Sequence, residues 1–257
     1  MNKLELPDNA LTEAVKAVDN HVGQTYDNLT YPITKSAGTL IGSIVDLVFS
    51  PFRYFDAKSN EFFQHKLRMY KKQLEEKEKS IPTAKKTDPD FHIVSLALDN
   101  SKFCITNDEL REMFVNLIGN TMNSDMKDIA HPAFAEIIKQ MTSIDAIILK
   151  TFTIKSSQPI AEIRHSDENR TYEVIYRNYF IAQLIDNPFS SEACSVSVTN
   201  LERLGLVNIF YDAFLSDSSL YDNYNNVLEC EFKGHELHKG IVALTQVGQA
   251  FIKVCFD

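Results

Sequence analysis

The spacing of apolar residues changes its period near Thr151, and this change constrains the fold more than any other feature of the chain. Upstream, apolar side chains recur every three or four residues, which places them on single helix faces. Leu11, Ala14, Val15, Val18 and Val22 form one such face. Phe63, Leu67, Tyr70 and Leu74 form another, on a charged helix over 57–80 that carries Lys71, Lys72, Lys77 and Lys79 among Glu75, Glu76 and Glu78. Leu110, Met113, Phe114, Leu117 and Ile118 form a third, on a helix that the box Thr106-Asn107-Asp108-Glu109 would start. Asp88-Pro89, His131-Pro132 and Thr142-Ser143-Ile144-Asp145 mark further helix starts.

Downstream of Thr151, strand-like pieces at 153–163 and 172–176 flank a polar loop at 165–171. A helix then runs to Gly205, which stands where a left-handed cap belongs, and a strand follows. Gly240-Ile241-Val242-Ala243-Leu244 reads as a strand entering a helix capped by Thr245. The expected fold is mainly α with a small α+β part, in which a helical array precedes a winged-helix-like carboxyl-terminal domain. Residues 1–86 would hold the amino-terminal helices, 87–156 a helical core and 157–257 the winged-helix-like part.

Residues 36–55 are unusual. Thr39, Ser43, Asp46 and Ser50 form a narrow polar stripe, and Leu40, Ile41, Ile44, Val45, Leu47, Val48 and Phe49 cover the rest of the helix before Pro51 ends it. Phe52 and Phe55 follow, and residues 53–86 carry ten basic and five acidic groups, a local charge of +5. An apolar helix followed by cations suits a segment that lies on a membrane surface. It suits a buried core helix equally well. Leu40, Ile44, Leu47, Val48, Phe49, Phe52, Phe55, Lys71 and Lys72 are therefore the candidate membrane or partner surface.

The whole chain has 257 residues, 26 basic and 35 acidic, and a net charge of −9. That balance disfavours DNA and other polyanions as partners. The last 101 residues carry seven basic and fourteen acidic groups, and Asn200 and Arg203 are the candidate contacts of the winged-helix-like part. With so little positive charge there, a protein partner is the better expectation than DNA. The four cysteines, Cys104, Cys194, Cys230 and Cys255, stand 90, 36 and 25 residues apart, which provides no paired metal or redox motif. No secretion signal opens the sequence, and no apolar run has the length of a membrane span. A cytoplasmic protein with free thiols, peripheral at most to the inner face of the membrane, is the expectation.

Chemistry-bearing clusters are sparse. His235, Glu236 and His238 are the densest group, but their spacing is not that of a helical zinc site, and a hairpin tip accounts for them. Asp145 and Glu109 occupy capping-box positions, and His131 precedes a helix-starting proline. Asn116, Asn120 and Asn123 share one helix face, expected to be solvated. No arginine is followed by a histidine at the Arg-x4–6-His spacing, and phosphate-loop, dinucleotide and nucleophile-elbow motifs are absent. The expectation is a protein without catalytic residues, cofactor or metal. The weaker alternative is a nuclease working through His131 or Asp145.

Several segments together resemble a known family. They are Pro32 to Gly38 with Asp46-Leu47-Val48 and Pro51, Leu110 to Asn123, His131-Pro132-Ala133-Phe134, Ser143-Ile144-Asp145-Ala146, Leu201-Glu202-Arg203-Leu204-Gly205-Leu206, and Leu244-Thr245-Gln246-Val247-Gly248-Gln249-Ala250-Phe251. The chain is similar over about residues 30–256 to the Abi-alpha proteins, bacterial proteins associated with abortive infection. The resemblance implies a bacterial, prophage-borne protein of antiviral defence and brings no catalytic residues with it. The functional expectation is defence by binding a phage or host protein, sharpened to membrane damage by residues 36–55, with homo-oligomerisation open. The competing expectation is a winged-helix regulator that binds protein or DNA.

Overall fold

The computed structural model describes residues 57–167, 171–181 and 189–256, together with Val45, Val48 and Phe49. Among the described residues, helices α1 (Ala57–Ser80), α2 (Phe91–Ser101), α3 (Asp108–Asn120), α4 (Ala133–Lys139) and α5 (Ser143–Thr151) come first. Strands β1 (Ser157–Ser166) and β2 (Tyr172–Tyr179), helix α6 (Ser191–Arg203) and strand β3 (Val207–Phe210) follow. Helix α7 (Asp222–Glu231), strand β4 (Glu236–Leu244) and helix α8 (Gln246–Cys255) complete the chain.

Helix α3 is the hub of the array. Nearly every residue from Met113 to Asn120 is buried, because α1, α2, α4, α5 and α8 all pack against it. Helix α1 presents Leu67, Tyr70 and Leu74, the apolar stripe seen in the sequence. Val45 and Phe49 are fully buried in the same core, and the Phe49 ring lies 6.1 Å from both Phe63 and Tyr70. Val48 packs against this core. Leu40, Ile44, Leu47, Phe52 and Phe55 lie outside the described residues.

Capping chemistry starts the helices, in two cases slightly later than expected. Asp90 rather than Asp88 caps α2, accepting from the His92 and Ile93 amides. Asn107 rather than Thr106 caps α3, accepting from the Leu110 amide at 3.1 Å. In each case two capping residues stand close together, and the one whose side-chain oxygen reaches the free amides of the first turn makes the bond. The Thr142–Asp145 box closes in both directions as the sequence suggests. Asn116 and Asn120 are not on a solvated face. They are buried, and their side-chain amides donate to the Cys255 and Val254 carbonyls at 3.0 and 2.7 Å. They thus supply partners for carbonyls that the last turn of α8 leaves unpaired.

The winged-helix expectation is corrected. The four strands form one antiparallel sheet in the order β2-β1-β4-β3. Strand β1, which precedes α6 in sequence, pairs with β4 from Ser157↔Ala243 to Arg164↔Glu236 and so occupies the middle of the sheet. The fold is mixed α and β, mostly helical, and not a helical array followed by a winged helix. The local signals that suggested a winged helix are nonetheless present. Gly205 has φ 73°, the Leu206 amide donates to the Leu201 carbonyl at 3.0 Å, and the Gly205 amide donates to that of Glu202 at 2.8 Å. Thr245 caps α8, and a Cβ on Gly248 would lie 2.0 Å from the Leu206 carbonyl oxygen, so α8 begins against that turn. What those signals cannot fix is the long-range pairing that places β1 between β2 and β4.

The sheet is covered on both faces. Ile160, Val207 and Val242 join the helical core, and Ala161, Ile163 and Tyr179 form a second cluster with Tyr221 and Tyr224 beside α7. The Tyr221 and Tyr224 hydroxyls donate to the Gly240 and Pro159 carbonyls, each at 2.7 Å, which allows both phenols to be buried.

Candidate functional site

A groove of about 630 Å³ lies between the amino-terminal end of α5 and one face of α6. Ala193, Val196, Ser197 and Asn200 recur at spacings of three, one and three, so one side of α6 forms its wall. Thr142 and Ser190, the residues that cap α5 and α6, also line it.

Asp145 forms the floor and is 1% exposed. Its Oδ2 accepts from the Thr142 amide (2.7 Å), the Thr142 hydroxyl (3.0 Å) and the Asn200 side-chain amide (3.0 Å). Its Oδ1 accepts from the Ser197 hydroxyl. Four donors from its own chain thus meet the Asp145 carboxylate, three at Oδ2 and one at Oδ1. Its role here is to tie α5 to α6. A second chain of bonds runs along the rim: Arg203 donates to the Asn200 side-chain oxygen at 3.0 and 2.8 Å and to the Gln140 side-chain oxygen at 3.0 Å. The Asn200 side chain also donates to the Gln140 carbonyl at 3.3 Å.

Within this polar frame the apolar groups are Ile144 and Ala193, both half-buried, and Val196, whose surface is 66% exposed. Such a surface can hold a partner side chain against Val196 while Gln140, Asn200 and Arg203 offer polar contacts. The structure thus brings together three residues singled out separately in the sequence, Asp145, Asn200 and Arg203. It adds Gln140, Val196 and Ser197. Ser197, Asn200 and Arg203 follow one another at steps of three, a spacing that already placed them on neighbouring positions of one helix surface.

The other singled-out residues lie elsewhere. His131 Nδ1 accepts from the Ala133 amide at 3.1 Å, a bond that starts α4. Glu109 lies in the first turn of α3. His235 Nδ1 lies 3.1 Å from the Phe232 carbonyl, Glu236 accepts from Ser166 at 2.7 Å, and His238 Nε2 lies 3.0 Å from the Tyr211 carbonyl. These three neighbours in sequence therefore turn to three different partners. Among the described residues no group of three or more His, Cys, Asp or Glu is placed to hold a metal ion. Lys71 and Lys72 lie on α1, where Lys72 is 3.6 Å from Glu76. No helix among the described residues is long and apolar enough to cross a membrane.

Comparison with known proteins places these residues in a family. The family model described as abortive infection alpha matches residues 62–255, about three quarters of the chain, including the groove and the whole sheet. No curated protein matches. Among solved structures, an uncharacterized protein from the hydrocarbon-degrading marine bacterium Alcanivorax borkumensis SK2 is similar at 14% identity and a TM-score of 0.31. The match covers 52% of this chain and 96% of that one.

Proposed function

The chain belongs to the abortive infection alpha family, and on that premise we propose that it acts in bacterial defence against phage by binding a protein partner in the α5–α6 groove. The observation that carries this reading is the state of Asp145. The most buried acid of the groove is held by four hydrogen bonds from its own chain. It braces the groove, and the exposed Val196 is left as an anchor point for a partner. A rigid, amphipathic recess suits recognition of a folded or extended polypeptide better than proton transfer.

The test is Val196→Glu. Val196 is exposed, so the substitution should leave the thermal midpoint of the purified protein unchanged while abolishing protection in a phage plating assay. Unchanged protection from a folded Val196→Glu protein would overturn the groove reading.

A second reading assigns the defence activity to residues 36–55 acting on membranes. The +5 charge of 53–86 supports it. It requires the fully buried Val45 and Phe49 to leave the core first. Leakage of anionic vesicles that Phe49→Asp suppresses would favour this second reading. Protein that leaves such vesicles intact would count against it.

A further inference from the structure

The sheet carries a second polar centre, built on β1, β2 and β4, that the groove does not use. Glu162 of β1 is 1% exposed. Arg164 donates to its Oε2 through Nε at 3.0 Å and Nη2 at 2.6 Å. Its Oε1 is buried and has no hydrogen-bond partner. Arg177 of β2 lies with Nε 3.1 Å from that oxygen, close enough to pair in charge but out of alignment for a hydrogen bond.

Arg177 reaches this position through a bulge. From Ala161 to Ile163 β1 advances two residues, while the partner positions on β2 run three, from Tyr179 to Tyr176. Arg177 and Asn178 therefore face Glu162 together. Asn178 takes a φ of 54°. Three bonds hold it there: its amide donates to the Tyr211 hydroxyl at 3.2 Å, its side-chain oxygen accepts from the same hydroxyl at 2.9 Å, and its side-chain amide donates to Thr199 at 3.0 Å. Tyr211 is braced in turn by stacking against His238, the residue opposite Glu162 on β4.

A buried carboxylate with one oxygen that accepts no hydrogen bond, a bulge and a left-handed asparagine each cost stability, and here they coincide. An apolar side chain in place of Glu162 would avoid the desolvation. Strained backbone and unsatisfied buried groups that cluster in this way mark ligand sites.

We propose that Arg164 and Arg177, anchored by Glu162, bind the phosphate group of a mononucleotide whose base stacks on Tyr172. Arg164, Arg177, Glu162 and Glu236 sum to zero, so the attraction for a phosphate comes from the exposed Arg177 fork rather than from net charge. The carboxylate of Glu236, across from Arg164, accepts from Ser166 at 2.7 Å. The Arg177 side chain is 70% exposed, so its planar fork is available for the paired oxygens of a phosphate. Tyr172, 56% exposed, already has the Arg164 guanidinium 4.1 Å from its ring centre, which fixes the ring as a stacking platform. The net charge of −9 repels a polyanion far more than a single phosphate, and so favours a mononucleotide over a nucleic acid strand.

Titration calorimetry of the full chain at low salt, with inorganic phosphate and with adenosine monophosphate as probes, tests this. Both should bind, the nucleotide at least about fivefold more tightly through stacking. Arg177→Gln should weaken both by about tenfold or more, and Arg177→Lys, which keeps charge but loses the fork, should fall between. Tyr172→Ala should remove only the advantage of the nucleotide. No heat with either probe, or binding that Arg177→Gln leaves intact, would overturn the proposal. Equal binding of the two probes that Tyr172→Ala does not change would overturn its nucleotide half.

Discussion

Replacing Asp145 with alanine removes the acceptor that joins α5 to α6. Its carboxylate takes two bonds from Thr142, one from Asn200 and one from Ser197. Loss of the capping box costs about 1 kcal/mol. A hydrogen bond to a charged acceptor contributes about 1.5–3 kcal/mol, and the buried Ser197 and the half-buried Asn200 each lose one. Because the bonds share one site the terms do not add fully, and the expected destabilisation is about 3–5 kcal/mol. With a urea slope of roughly 3 kcal/mol/M, the unfolding midpoint should fall by about 1–1.7 M at unchanged slope. Ser197→Ala alone, which takes the donor from the buried Oδ1, should cost about 1.5–3 kcal/mol, and the double variant should show a coupling of about 1–2 kcal/mol. A shift below about 1 kcal/mol for Asp145→Ala, with no coupling, would refute the assignment of this carboxylate as the tie. Full stability with loss of defence would also refute it, because Asp145 would then be a reacting group.

Three further outcomes are expected. Asn120→Ala should destabilise the protein by about 1–3 kcal/mol through the orphaned Val254 carbonyl, and hydrogen exchange should speed up in the last turn of α8. Thiol reagents should label the exposed Cys230 first, since Cys104, Cys194 and Cys255 are buried and burial pushes the Cys104 and Cys255 thiols up; equal rates at all four would contradict the packing. The Asp108 carboxyl is held below its ordinary value, first by the hydrogen bond from Lys66 and then by that from Arg111. A depressed folded value contributes stability above the ordinary carboxylate range and loses it as pH falls through the folded value. Asp108→Asn should therefore flatten the acid limb of stability against pH, by under about 1 kcal/mol for so exposed a group.

The helical part was largely legible in the sequence because its signals are local. The Leu67, Tyr70 and Leu74 stripe, the Thr142–Asp145 box and the Gly205 cap all act within a few residues, and all appear as read. The sheet was not legible in the same way. Gln158 to Ile163 are buried on both faces of a central strand, so they lack the alternation that reveals a half-exposed one. The pairing of β1 with β4, about 80 residues later, leaves no local mark. Asn116 and Asn120 misled for a related reason. Polar residues at helical spacing suggest a wet face, and only the arrival of the α8 carboxyl terminus turns that face inward. Asp145, Asn200 and Arg203 were each visible singly, and their convergence was not, because two strands separate α5 from α6.

The account turns on a partner held against Val196. A photocrosslinking residue placed at position 196, in cells protected by the full chain, tests it most directly, with the same residue at the exposed Lys150 as control. The account predicts a discrete adduct at 196, absent at 150, that Ile144→Arg abolishes together with protection. Equal adducts at both positions, or none at 196 while protection persists, would contradict it.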